Sequence, residues 1–115
     1  MNLSRNTCSR ELAEEMARLG ICQTEPEMWH CKSGTRNWVG DQPKYAGLIC
    51  ESIVAPALAR MMEELPLEWY VRRLINVIVG DVYVVSGYGV NYQVSDKNLP
   101  NACAKALIAI KKGTV

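Results

Sequence analysis

Residues 28–38 read MWHCKSGTRNW and place the only histidine of the chain, His30, beside Cys31 and between Trp29 and Trp38. A thiol and an imidazole together make a nucleophile pair or, with further ligands, a zinc site. Adjacent strand residues point to opposite faces, however, so His30 and Cys31 do not share one small site without a bend. Zinc sites carry four ligands, commonly in CxxC or HxxxH pairs. Cys8, Cys22, Cys31, Cys50 and Cys103 show no such spacing. A catalytic reading requires Cys22, Cys31 or Cys50 to converge with His30 in three dimensions. Cys8 and Cys103 fall on apolar helix stripes, where cysteine behaves as a small hydrophobe.

Carboxylates offer little more. Glu14-Glu15 and Glu63-Glu64 are helix neighbours that diverge by about 100°. Glu25 and Glu27 flank Pro26 and could line a cleft, with no aspartate nearby in sequence to suggest acid–base roles. There is no Walker-type loop, and Gly87-Tyr88-Gly89 lacks the strand–GxGxxG–helix setting of a dinucleotide site. The residues therefore predict no catalytic group, no metal and no cofactor.

Binding chemistry is better represented. Alternation along residues 82–92 places Tyr88 and Tyr92 on one strand face and Tyr83 on the other. Arg72 and Arg73 lie on the partner strand. Aromatics and arginines on an open sheet can anchor a protein or stack bases. Trp29 and Trp38 could add to such a surface, or could form a stabilising pair across their hairpin. Against this stands the general preference of strands for tyrosine. The candidate binding set is Trp29, Trp38, Arg72, Arg73, Tyr88 and Tyr92.

The elements that must position these residues are legible in part. A helix is expected over 7–19, with Cys8, Leu12, Met16 and Leu19 as its apolar stripe, Thr7 or Asn6 as cap and Gly20 as stop. Strands are expected over 28–32 and 37–39, joined by Ser33-Gly34-Thr35-Arg36, with a turn at 40–43 and a weak strand within 45–54. Pro56 opens a second helix over 56–65, with Leu58, Met61, Met62 and Leu65 buried. Residues 69–79 read as a strand, Gly80-Asp81 as a two-residue turn, and 82–92 as the returning strand, interrupted at Gly87 and Gly89 by a bulge, a bend or a second turn. The last helix starts at Asn98, carries Pro100 in its first turn, buries Leu99, Cys103, Ala106, Leu107 and Ile110, and ends at Gly113. The order α-β-β-(β)-α-β-β-α predicts an α+β fold: one antiparallel sheet of about four to five strands with three helices.

At 115 residues, with 49% apolar and 22% charged residues, the chain is of a size and composition to form a single domain, 1–115, without disulfides or metals. Net charge is +1, so bulk charge demands neither nucleic acid nor membrane. Its distribution is uneven. Residues 1–69 hold seven Lys/Arg against ten Asp/Glu, and residues 70–115 hold six against two, which hints at a basic C-terminal half. The odd cysteine count, the absence of an apolar leader after Met1 and the lack of any long apolar run predict a cytosolic protein with reduced thiols.

Two segments carry a resemblance. VAPALARMMEELP (54–66), a β-hairpin and then NLPNACAKALIAIKKG (98–113) resemble a broad family of small phage and prophage proteins. That family has an APTLxELLxxLP-like helix before its strands and an NPAxALAxLLIxLKxxG-like final helix. The opening helix ending in Leu19-Gly20 and the aromatic hairpin after it also fit. Here Ala57 stands where the pattern often has threonine, and Asn98-Leu99-Pro100 replaces Asn-Pro. The resemblance implies a phage-encoded protein acting in the cytoplasm of the bacterial host, and carries no site residues. With it, the expectation is a non-enzymatic accessory protein that binds a host protein, as an inhibitor of a defence system or of other host machinery. The alternative is a nucleotide or single-stranded nucleic-acid binder using the basic, Tyr-bearing C-terminal half. A homo-oligomer is compatible with either, because short sheets leave edges that pair.

Overall fold

The computed structural model describes residues 6–40, 51–78, 80–89 and 92–113. Within them the chain is α+β, with three helices and two three-stranded antiparallel sheets. The expectation of one sheet of four to five strands is thereby corrected. The N-terminal strands β1 (Trp29–Ser33), β2 (Arg36–Gly40) and β3 (Glu51–Val54) pair in the order β2-β1-β3, and β4 (Trp69–Leu74), β5 (Val82–Gly87) and β6 (Gln93–Asp96) pair in the order β4-β5-β6. Each sheet is built from strands close in sequence, and α2 (Leu58–Glu64) lies between the two sets along the chain.

Helix α1 (Arg10–Leu19) starts later than its apolar stripe implied. Ser9, not Thr7 or Asn6, caps it by accepting from the Leu12 N–H. Thr7 is instead bridged to Ala57, and its hydroxyl donates to the Pro56 carbonyl at 2.8 Å. Gly20, at φ +72, ends the helix, with its own N–H on Ala17 and the Ile21 N–H on Met16. That is the Schellman arrangement, which favours glycine in the left-handed position.

Helix α2 (Leu58–Glu64) also begins late: Pro56 lies before the N-cap rather than in the first turn. The N-cap is Ala57, which has no side-chain oxygen to offer the free amides. Ala57→Ser is expected to raise the unfolding free energy by about 1 kcal/mol, read from urea denaturation. On this short helix Met61 is fully buried but Met62 is 45% exposed, so half of the expected methionine pair faces out.

Helix α3 (Leu99–Lys112) follows its expected signals. The Asn98 side chain caps it by accepting from Asn101, Pro100 sits in the first turn, and Gly113 closes it at φ +74. It is more deeply buried than a single stripe requires, because α1, α2, β5 and β6 all pack on it. Ala102, Cys103, Ala104 and Ala106 are fully buried there. Small side chains let this helix lie close to its neighbours on several sides. Met16, Met61, Val85, Cys8 and Leu107 are among the residues that share the core with them. Lys112 ties α3 to Glu15 of α1 at 2.8 Å, and Lys105 ties it to Asp96 of β6 at 2.8 Å.

The C-terminal strands depart most from expectation. β4 stops at Leu74 rather than 79, because Asn76 folds the chain back: its side chain accepts from the Ile78 N–H, and its carbonyl accepts from Gly80. The β4–β5 connection is thus residues 75–81, not a two-residue Gly80-Asp81 turn. The returning strand expected over 82–92 ends at Gly87; of the interruptions expected there, it is a second turn that forms, at Tyr88-Gly89 with Gly89 at φ +72, and a further strand absent from the expected order, β6, follows at Gln93–Asp96. Gly40, expected to open a turn, is the last residue of β2; the rest of that turn, 41–43, and the first part of the weak strand within 45–54 fall outside the described residues, as does Cys50. Among the described residues no helix is long and apolar enough to cross a membrane.

Candidate functional site

Alternation divides the second sheet into two faces. Trp69, Val71, Tyr83, Val85 and Val94 point toward the core and α3. Tyr70, Arg72, Leu74, Val82, Val84 and Ser86 occupy the opposite face. On that outer face Tyr70 and Tyr88 lie with ring centroids 4.8 Å apart, and the Arg72 guanidinium lies 5.9 Å from the Tyr70 ring. Such separations suit offset aromatic packing and a cation–π contact. Tyr88 is 73% exposed and is held by its N–H on the Glu68 carbonyl. Beneath this ladder Val84 and Ser86 are buried, and Ser86 Oγ has no hydrogen-bond partner among the described residues.

The outer face runs into the connection after β4. Ile75, Val77 and Ile78 are 77%, 96% and 88% exposed, beside a half-exposed Leu74. Large apolar side chains standing together in water mark contact surfaces more often than isolated ones do. Sequence reasoning missed both this tip and Tyr70. The β-branched run was read as continuing strand, and Asn76 within it, a residue that initiates turns through its own side chain, was the overlooked signal.

Of the six candidate residues, the structure brings Arg72 and Tyr88 together. Tyr92 is not on the Tyr88 face. The turn breaks the alternation, and Tyr92 packs against Trp69 at 6.2 Å between centroids, on the core side. Arg73 points away from Arg72 and is engaged by Asp81. Trp29 and Trp38 lie on the other sheet. They share a face but are not directly opposed: Trp29 faces Gly40, Trp38 faces Cys31, and the Arg36 guanidinium sits 5.3 Å from the Trp38 ring.

Close packing fixes Trp69 in turn. Gly87 pairs with Trp69, and a Cβ added there would come within 2.9 Å of the indole Cε2. That atom belongs to the ring fusion, so only movement of the whole indole relieves the clash. Gly87→Ala is expected to lower stability by about 1–3 kcal/mol and to shift the tryptophan fluorescence.

His30 and Cys31 take opposite faces of β1, as alternation requires. His30 is buried and its Nε2 is 2.9 Å from the Cys8 carbonyl. A carbonyl only accepts, so Nε2 carries the proton. Burial lowers the pKa of His30 below the ordinary 6.5, outweighing the Cys8 bond. The unfolded chain therefore binds a proton more readily than the folded one. Stability is full above about pH 6.5 and falls as the pH drops below it, by at most about 1.4 kcal/mol per unit for one group. His30→Gln is expected to remove this part of the acid slope in denaturation curves taken from pH 7.5 down to 5.

Burial pushes the Cys8 thiol up to about 12, and Cys22 and Cys103 up to about 11. Such thiols are poor nucleophiles at neutral pH. A cleft of about 200 Å³ does contain Glu25 and Glu27, together with Cys22, Arg60 and Glu63. Arg60 is already committed to Glu64 and to the Thr24 hydroxyl and carbonyl. Among the described residues no three His, Cys, Asp or Glu side chains are grouped to hold a metal ion. Comparison with models of known families, with curated proteins and with solved structures finds no match.

Proposed function

We propose that the protein is a non-enzymatic, phage-encoded accessory protein that binds a host protein in the bacterial cytoplasm and blocks a defence system or other host machinery by steric occlusion. The observation that carries this reading is the exposed apolar tip, Ile75, Val77 and Ile78, which follows Leu74 at the end of the strand that carries Tyr70 and Arg72. Interfaces draw most of their energy from aromatic, arginine and apolar anchors that are desolvated together. Tyr70, Arg72 and Leu74 stand on a paired strand, which limits the ordering cost of binding through them. The phage setting rests on the resemblance of the helices at 54–66 and 98–113.

A second reading has one observation behind it. A sheet face that carries a pair of tyrosines in ring contact and an arginine is also a platform for the bases of a single strand. Arg72 is the single cation among the described β-strand positions of that face, and phosphate binding usually calls on several. Affinity capture from infected host cells, run with and without nuclease, separates the two. Recurrent recovery of one host protein after nuclease treatment is expected. Loss of all captured material on nuclease treatment would overturn the first reading in favour of the second.

A further inference from the structure

We propose that two copies of this chain join through the free edges of their β4 strands, antiparallel and centred on Val71, to make one six-stranded sheet. Among the described residues β4 pairs with β5 alone, so its other edge presents unpaired main-chain groups. Which groups these are follows from the ladder. The Tyr88 N–H bonds to the Glu68 carbonyl, so Glu68, Tyr70, Arg72 and Leu74 turn their main chain toward β5. Trp69, Val71 and Arg73 turn theirs outward. The Trp69 N–H is already taken by Pro66 at 2.9 Å, which leaves its carbonyl free to accept.

A two-fold axis normal to the sheet keeps each residue on its own face, so the centre must fall on a residue. Centring on Arg72 sets two Arg72 side chains directly opposite each other. Centring on Arg73 does the same for Arg73, and centring on Tyr70 pairs only three residues of each strand. The Val71 register pairs five residues, 69–73. In it the two Val71 residues exchange main-chain bonds, and each Arg73 N–H donates to Trp69 of the second copy. Tyr70 then faces Arg72 of the second copy across a closely spaced pair, a favourable cation–π placement. The same register directs Leu67, fully exposed in one copy, toward Ile75 of the other, itself 77% exposed. Charge and apolar matching thus agree on one alignment. Joining the edges leaves the outer faces open and side by side, so the pairing does not rest on the proposed host-binding role.

Sedimentation across micromolar to sub-millimolar concentrations tests the pairing on the isolated protein. The unmodified chain is expected to dimerise reversibly. Tyr70→Lys sets an ammonium opposite Arg72 of the second copy at two symmetry-related places and is expected to weaken the dimer about tenfold or more. Adding Arg72→Glu to Tyr70→Lys restores opposite charges and is expected to recover the dimer. Both variants lose the Tyr70–Tyr88 stack, so that loss cannot explain a difference between them, and circular dichroism checks that each is folded. A monomer at every concentration, an unaffected Tyr70→Lys dimer, or a folded double variant that stays monomeric would each overturn the proposal.

Discussion

Met16→Ala is expected to lower the unfolding free energy by about 2–5 kcal/mol, which is a large share of the stability of a domain of this size. Met16 is fully buried on α1 and belongs to the cluster that includes Cys8, Ala13, Met61, Cys103 and Leu107. Most of the α3 residues in that cluster, Ala102, Cys103, Ala104 and Ala106, have short side chains that cannot swing in to fill the space. The cavity therefore persists, and its cost adds to the lost transfer energy of the thioether chain. Met62→Ala, on a side chain 45% exposed, serves as the control and is expected to change stability by about 0.5 kcal/mol or less. Urea midpoints should separate the two, with equal slopes. Equal midpoints would mean that the α1–α3 contact is not the centre of the core.

The contrast between those methionines shows what the sequence could and could not reveal. Long elements with caps were legible: the Asn98 cap, Pro100 and Gly113 bound α3, and Gly20 stops α1. Local chemistry decides those features, so local reading finds them. Helix starts were misplaced where a tertiary bond competes. Thr7 has the residue type of a cap, but its hydroxyl is spent on Pro56, far away in sequence. The division into two sheets was hidden because it depends on which hairpin edges meet, a property of three dimensions. Arg72 and Tyr88 were found by residue type, whereas Tyr92 was assigned to the wrong face because one turn resets the two-residue alternation.

Ile78→Asp is expected to abolish capture of the host partner while leaving the fold untouched. The side chain is 88% exposed, and its main-chain N–H bond to the Asn76 side chain does not depend on residue type. Thermal unfolding should therefore move little. At an interface the effect is different, because a carboxylate placed in the apolar centre must be desolvated without a partner. Loss of an anchor of that kind costs about 2 kcal/mol or more, roughly a thirtyfold rise in Kd. Tyr88→Ala should weaken such a complex less, since Tyr88 stands beside Glu68 at the far end of β4 from the tip. A bound single strand would give another pattern. Bases need a π-face, so Tyr88→Ala would cost about 1–3 kcal/mol per stacked base, while Ile78→Asp would act only through weak charge repulsion. Isothermal titration of the captured partner, and of a single-stranded oligonucleotide, against both variants reads this directly. An Ile78→Asp protein that binds the captured host protein as tightly as the unmodified chain would remove the tip from the binding surface.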